Sequence, residues 1–341
     1  MAENEFLQAT WFLLVGVLLV GYAILDGFDL GVGMQHLTTA RTDEERRILM
    51  NSIGPIWDGN EVWLITAGGA LFAAFPKVYA TVFSGFYLAM MLVLAGLILR
   101  AVSLEFRSKE GGRGWHTTWD VAFFVGSVLP AILFGVAIGN IMRGVPLDGQ
   151  GDYAGTFGGL LSPFALTVGL LSAAMFLMQG SAWLVLKTEG ALQARARRTA
   201  LVGGVVTLVL WVVVTIWSRA EAPMLWDRFG LSLAWVAPII AALALVAFPV
   251  LVRRGRVASA FAASSAAIAA MIGTLGIGLW PNLLPARDQG APLTAALTAS
   301  SDLTLAVMLI IALVGLPFVL AYTFWVYRTF WGPVRLDKHS Y

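Results

Sequence analysis

The sequence predicts an all-α polytopic membrane protein, a bundle of nine transmembrane helices, and two observations support this prediction. Of the 341 residues, 59% are hydrophobic and only 12% are charged, which is about half the charged share of an ordinary soluble domain. The apolar residues also form continuous runs, whereas the strands of a membrane barrel would alternate in pieces of about ten residues. No low-complexity linker divides the chain, so we expect a single membrane domain over residues 1–341.

Each expected helix corresponds to an apolar segment of about 20 residues, the length that crosses a hydrocarbon core of about 30 Å. In chain order the nine segments run at about 8–30, 53–75, 78–100, 119–141, 160–186, 199–218, 229–252, 257–280 and 303–327. Only Pro76 and Lys77 separate the second segment from the third. Counts of eight or ten helices therefore stay open on the apolar pattern alone.

The distribution of Lys and Arg orients these segments. Of the 22 basic residues, 17 fall in alternate connections and in the C-terminal tail, at 41–47, 100–113, 187–198, 253–256 and 328–338. Short loops rich in Lys and Arg stay in the cytoplasm. The N-terminus is then outside and the C-terminus inside, which requires an odd number of spans and favours nine. The acidic start of the chain is not typical of a secretory signal, so we expect no cleavage.

The composition also excludes several classes of function. There is no Cys, which excludes thiolate-bound iron–sulfur clusters and haem attached through thioethers. The three histidines are expected outside the membrane core: His36 in the first loop, His116 near the start of the fourth helix and His339 in the tail. We therefore expect no haem or metal ligand in this chain. A net charge of +2 does not indicate nucleic-acid binding.

Four acids in the first two predicted spans are the candidate functional residues. Asp26 and Asp29 end the first helix, and Asp58 and Glu61 lie early in the second. Each pair is three residues apart and so shares one helix face. If the second helix begins near Ile53, Asp58 lies about 8 Å and Glu61 about 12 Å along its axis.

A carboxylate at that depth must be protonated, paired or hydrated, because burying it ionised costs at least about 2.5 kcal/mol. All three conditions suit proton transfer. For Asp26 and Asp29, a solvated pair at a helix end is an equally good interpretation. For Asp58, which lies between Trp57 and Trp63, we expect burial that disfavours the charged form.

Several longer runs of residues carry a resemblance to a known family. They are Leu-Asp-Gly-Phe-Asp-Leu-Gly-Val-Gly at 25–33, the segment 51–75 with its Trp-Asp-Gly-Asn-Glu-Val-Trp core, and the segments 83–87, 280–285 and 299–305. Together they closely resemble subunit II of the cytochrome bd-type quinol oxidases, over nearly the whole chain.

The resemblance implies nine helices with the N-terminus outside, in a bacterial cytoplasmic (inner) membrane. It implies a heterodimer with a haem-bearing subunit I, which holds haem b, haem d and the quinol site. A small accessory subunit, membrane lipids and quinone are further expected partners. By motif position, Asp58 matches an acid associated with proton supply, and Asp26 and Asp29 match acids of the first helix. The Glu61 position takes Gln as well as Glu in the family.

Other functions remain open at this point. A proton-coupled secondary transporter would also place acids inside the membrane, although the broken helices and repeated halves common in transporters are not evident here. A purely structural partner subunit would differ only in what Asp58 does. Whether the quinol is ubiquinol or menaquinol is not indicated by these residues.

Overall fold

Helices form most of the chain, as the apolar runs predict. The computed structural model describes residues 2–230, 232–287 and 290–336. Its α-helices are α1 Ala2–Gln35, α2 Asp43–Ile53, α3 Trp57–Ala74, α4 Pro76–Gly85, α5 Tyr87–Phe106, α6 Arg113–Arg143, α7 Pro163–Lys187, α8 Gly190–Glu221, α9 Val236–Arg253, α10 Val257–Leu279, α11 Ala295–Thr298 and α12 Asp302–Thr329. Two short strands, β1 Asn282–Leu284 and β2 Leu293–Thr294, pair antiparallel. Three 3-10 turns lie at Gly158–Leu160, Pro223–Gly230 and Ser232–Trp235.

The all-α membrane fold is confirmed, with a lower count of clear spans than predicted. Eight helices in the described part of the chain are long and apolar enough to cross a membrane, namely α1, α5, α6, α7, α8, α9, α10 and α12. Seven predicted spans coincide with seven of these eight helices, although α1 continues to Gln35 and α8 begins at Gly190. The predicted span at 53–75 corresponds to α3, which has 18 residues and a polar first half. The predicted span at 78–100 is divided between α4 and α5.

The predicted boundaries at 53–75 and 78–100 are wrong, and prolines explain both differences. Residues 43–53 form a separate amphipathic helix, α2, whose start is capped by reciprocal hydrogen bonds between Thr42 and Glu45. Pro55 follows, and because proline disfavours helical geometry in the residue before it, the chain breaks there. Pro76 begins α4 in its first turn, a position that proline fits well.

These shifts move two charged residues relative to the membrane. Because α3 begins at Trp57, Asp58 lies in its first turn instead of 8 Å inside a helix. Because α5 runs to Phe106, Arg100 lies within the helix and not in the following loop, where the Lys/Arg distribution placed it.

Helix α7 is the centre of the bundle, where α1, α6, α8 and α10 pack around it. In its apolar window, 89% of the residues are buried. Its closest crossing is with α1, at Gly31 and Gly180, where a Cβ on either residue would collide with the backbone of the other helix. Small residues let helix backbones approach this closely inside a membrane.

Helix α12 is the opposite case, since only 6% of the residues in its apolar window are buried. Contacts near its two ends attach it to the bundle. The indole of Trp11 donates to the Leu305 carbonyl at 2.9 Å, and Lys187 donates to the Phe330 carbonyl. The apolar middle of α12 is therefore available to lipid or to another protein.

We expect Gly31→Ala to prevent stable packing of α1 on α7, because the new methyl group would overlap the Phe176 carbonyl oxygen. Overpacking typically costs about 1–3 kcal/mol. The matched control is Gly16→Ala in the same helix, where nothing lies within 4 Å of the added Cβ. Thermal unfolding of the two variants in detergent is the measurement. Equal unfolding temperatures for the two variants would contradict the close contact between α1 and α7 at Gly31.

Candidate functional site

Asp26 and Asp29 lie inside α1, because the helix continues for about a turn and a half beyond Asp29. Both side chains are fully buried in the described chain, with 0% exposure. The interpretation of these acids as a solvated pair at a helix end is therefore wrong. Three residues apart, both are held in the interior of the bundle.

Arg100 of α5 supplies the positive charge for this site. Its Nη1 lies 2.7 Å from Oδ1 of Asp26, and both side chains are fully buried. Its Nη2 donates to Oε2 of Glu61 at 3.3 Å. Charge counting missed Arg100 as a site residue, because the apolar segment was expected to end there. Its position seven residues before Arg107, at helical spacing, was the available signal.

Asn60 links Asp29 to the last helix. Its Nδ2 donates to Oδ2 of Asp29 at 2.8 Å, and its Oδ1 accepts a hydrogen bond from the Tyr327 hydroxyl, also at 2.8 Å. Asn60 is 1% exposed. Since Tyr327 donates to one end of the amide, the other end must donate to Asp29, which fixes the orientation of Asn60. We call Asp26, Asp29, Asn60, Glu61, Arg100 and Tyr327 the acid cluster.

Asp58 is separate from the acid cluster in this chain. Its side chain is exposed, whereas that of Glu61, one turn further along α3, is 21% exposed. The expected burial of Asp58 between two tryptophans is therefore wrong. Trp63 instead turns inward, where its ring lies against Gly21 of α1. The face of α3 that carries Asp58 points out of the bundle.

A second group of charges lies at the end of α1. His36 lies in the turn after α1, as expected, but it is fully buried there, and its Nε2 is 2.5 Å from Oδ1 of Asp120. Asp120 also pairs with Arg46 at 2.6 Å and with Arg107 at 2.5 Å. Arg107 in turn pairs with Asp43 at 2.7 Å. We call these five residues the Asp120 cluster.

The Asp120 cluster joins α1, α2, α5 and α6 at one end of the bundle. Sequence reasoning missed it, because Asp120 looked like an ordinary charge at the start of a span. The capping pattern of Thr42 and Glu45, which marks the start of α2, was a usable signal for the helix that brings in Arg46. Burial lowers the pKa of His36, and repulsion from Arg107 and Arg46 adds to this, outweighing the attraction of Asp120.

Two of the three histidines lie among the residues that the structure describes. One ring nitrogen of His36 is held by Asp120. His116 is partly exposed and lies 3.5 Å from Asp43, and His339 lies outside the described residues. Among the residues that the structure describes, no group of three or more His, Cys, Asp and Glu side chains is placed to hold a metal ion.

We expect Arg100→Gln and Asp26→Asn each to destabilise the chain, by about 3–5 kcal/mol, because either one leaves a buried charge unpaired. The double variant should destabilise the chain by clearly less than the sum of the two single variants, because it removes both charges of the pair together. Thermal unfolding in detergent measures all three. Arg113→Gln, at an exposed position at the start of α6, is the control, and strictly additive losses would refute the pairing.

Stability should also depend on pH through His36. Because its pKa in the folded chain is lowered, the unfolded chain binds the proton more readily below its ordinary pKa of about 6.5. The neutral form therefore contributes stability above that pH, and this stability is lost as the pH falls through the lower folded pKa. His36→Gln should flatten the loss of thermal stability between about pH 7 and 5. If the thermal stability of His36→Gln falls with pH as much as that of the wild type, His36 is not the source of the pH dependence.

Comparison with known proteins places the chain in a family. The family model described as cytochrome bd terminal oxidase subunit II matches residues 7–330. Cytochrome bd-I ubiquinol oxidase subunit 2 of Escherichia coli (strain K12) is 42% identical over 369 aligned positions, which cover 99% of this chain and 97% of that protein. Cytochrome bd ubiquinol oxidase subunit 2 of Bacillus subtilis (strain 168) is 36% identical and covers 95% of this chain and 96% of its own length.

The fold has a counterpart among solved structures. A chain from the structure of bd oxidase from Geobacillus thermodenitrificans superposes with a TM-score of 0.77, over 95% of this chain and 98% of that one, at 19% sequence identity. That likeness concerns the fold, whereas the two sequence comparisons extend over nearly the full length. On these matches, the chain belongs to the cytochrome bd terminal oxidase subunit II family.

Proposed function

We propose that this chain is the haem-free subunit II of a cytochrome bd-type terminal oxidase, which couples quinol oxidation to the reduction of dioxygen to water. It is a multi-pass protein of the bacterial cytoplasmic (inner) membrane. It pairs with a haem-bearing subunit I that holds haem b and haem d, supports the assembly of that subunit and supplies it with protons from the cytoplasm. Family membership supports this role, and so do the names of its relatives.

The charge balance of the acid cluster is the observation that carries the proton role. Asp26 and Asp29 are both fully buried. The single guanidinium of Arg100 lies 2.7 Å from Asp26 and 3.3 Å from Glu61, whereas Asp29 accepts a hydrogen bond from the neutral amide of Asn60. Full ionisation of these acids would leave an uncompensated negative charge in the membrane interior, which is costly. The cluster therefore retains a proton that it can release and recover.

The acids are arranged by decreasing exposure, which supports a direction for proton movement. Asp58 is exposed, Glu61 is partly exposed, and Asp26 and Asp29 are buried. A proton taken from water at Asp58 or Glu61 passes to the acids beside Arg100. Asn60 is a positioning residue, since its donated hydrogen bond occupies Oδ2 of Asp29 and leaves Oδ1, which has no hydrogen-bond partner among the described residues, to exchange the proton.

The exposed face of α3 supports pairing with a second membrane subunit. Gly69 has nothing within 4 Å of an added Cβ, and small residues on an open helix face allow another helix to approach closely. Asp58 lies about three helical turns before Gly69 on the same exposed side of α3. A partner placed beside Gly69 leaves Asp58 open to water and receives the proton from the acid cluster.

Replacing Asp29 should slow oxygen consumption by the purified complex. Asp29→Asn keeps the shape and hydrogen bonding of the side chain but cannot exchange a proton. We expect a loss of about 100-fold, at the lower end of the usual range for acid–base groups. Asp26 stays intact in this test, because its replacement would also unpair Arg100. Asp58→Asn should have a smaller effect, because water can reach Glu61 directly when Asp58 is lost.

The measurement is oxygen consumption per haem d across pH, and Asp302→Asn, exposed in the first turn of α12, is the control. Wild-type turnover of the Asp29 variant at every pH would reduce this acid to a packing residue. Loss of haem together with activity would make it structural. A colourless single chain that moves a solute would instead favour a proton-coupled transporter.

We further propose nine spans with the N-terminus outside and the C-terminus in the cytoplasm, in which α3 is the ninth. Its 18 residues extend about 27 Å. Topology reporters fused after residues 40 and 110 should both report the cytoplasm, because α3 and α5 then cross in opposite directions. If α3 does not cross, the two reporters will lie on opposite sides. A fusion after residue 150 should report the periplasm.

A further inference from the structure

The basic residues at one end of the bundle fall into two groups. In the half formed by α1, α2, α5 and α6, three arginines have carboxylate partners within the chain: Arg46 and Arg107 pair with Asp120, and Arg100 pairs with Asp26. Arg195, near the start of α8, pairs with Glu45 of α2. These charges are already balanced by the fold.

The second group lies where α8 begins, α9 ends and α10 begins. Its members are Arg197, Arg198, Arg253, Arg254 and Arg256, and all but Arg197, which is half-buried, are exposed. Glu189 is the one acid in the segments 186–200 and 250–260, and it lies about two helical turns before Arg197. We call these five residues the arginine patch.

Packing between the helices brings the two halves of the patch to the same end. Ala200, one turn after Arg197, belongs to the same apolar core cluster as Val252 and Ala260. The ring of Phe248 in α9 lies against Gly204 in α8. The start of α8 is therefore next to the end of α9, and Arg197 and Arg198 lie on the same side as Arg253.

The turn between α9 and α10 holds the other three arginines close together. Gly255 has a φ of 71°, a left-handed conformation that favours glycine. Its N–H donates to the Val252 carbonyl at 3.1 Å, and the N–H of Arg256 donates to the Leu251 carbonyl at 3.0 Å. This is the Schellman arrangement that closes a helix end. It places three guanidinium groups within four consecutive residues on a fixed backbone.

The patch adjoins an apolar surface on the adjacent turns of α8 and α9. Val202 and Val206 of α8 are 58% and 41% exposed, and Val246 and Val250 of α9 are 55% and 43% exposed. A molecule that fits here needs an anionic head and an apolar body next to it. A free phosphate ion satisfies only the first requirement.

We propose that the arginine patch binds the headgroup of an anionic phospholipid, whose acyl chains lie along the exposed valines of α8 and α9. Guanidinium groups donate paired hydrogen bonds to phosphate oxygens, and each basic residue near an anionic membrane surface strengthens binding about fivefold. The proposal depends on the membrane placement of the chain and not on its role in proton transfer.

The test is a titration of phosphatidylglycerol into the purified detergent-solubilised complex, followed by native mass spectrometry. The wild-type complex should bind phosphatidylglycerol more tightly than phosphatidylcholine. The triple variant Arg253→Gln/Arg254→Gln/Arg256→Gln should bind it about 100-fold more weakly, at about fivefold for each arginine. The matched control removes three exposed basic residues elsewhere, Arg41, Lys109 and Arg113. It should bind phosphatidylglycerol as tightly as the wild type does.

Three results would overturn the proposal. They are equal binding of phosphatidylglycerol by the triple variant and the wild type, equal binding of the two lipids by the wild type, and an equal loss in the control variant. Competition with inorganic phosphate separates the two sources of the anion. Displacement of the lipid by millimolar phosphate would show a site for the anion alone, whereas a lipid that stays bound supports the contribution of the valines.

Discussion

The ion pair between Asp26 and Arg100 is the constraint on which the arrangement of the helices depends. Its atoms are 2.7 Å apart and both side chains are fully buried. Such a pair is tolerated only where geometry and further hydrogen bonds offset the loss of hydration. Glu61 of α3 accepts a further hydrogen bond from Arg100, and α6 packs closely on α5, where Gly126 lies against the backbone of Arg100.

A second level of charge lies beside the ends of α1 and α5. His36 follows the end of α1, Arg107 follows the end of α5, and both pair with Asp120 of α6. Ion pairs therefore join α1 to α5 at the acid cluster and join the ends of both helices to α6 at the Asp120 cluster. In contrast, α8, α9 and α10 pack through alanine and larger apolar residues. The polar half holds the candidate proton site, and the apolar half carries the arginine patch.

Much of the fold follows from the sequence, because long apolar runs leave few alternatives in a membrane. Seven of the predicted segments coincide with helices that are long and apolar enough to cross a membrane, and the family resemblance is confirmed by the comparisons. Hydropathy does not show which face of a helix turns inward, so it predicts burial for Asp58 and leaves a solvated Asp26 as good an interpretation as a buried one. Asp58 is exposed because Pro55 delays the start of α3, and Asp26 is buried because α1 runs on to Gln35.

Arg100 could not be found from hydropathy for a related reason. The positive-inside rule assigns a basic residue near the end of a span to the adjoining loop. Arg100 does not follow it, because this residue lies within α5. Only the packing of α5 against α1 shows that its partner is Asp26. The acids of the site were thus readable as unusual residues at membrane depth, whereas their balancing charge required the three-dimensional structure.

The central position of α7 has a consequence for how the chain is made. A ribosome delivers α1 and α6 before α7, and α8 and α10 after it, so α7 enters the membrane when only part of its final surroundings exists. Until the later helices arrive, the surface that they will cover must be acceptable to lipid. Apolar residues form most of that surface. The exception is Gln179, whose amide pairs with Ser264 and Ser265 of α10. This glutamine has no such partner until α10 arrives, and the arrival of α10 therefore fixes the position of α7.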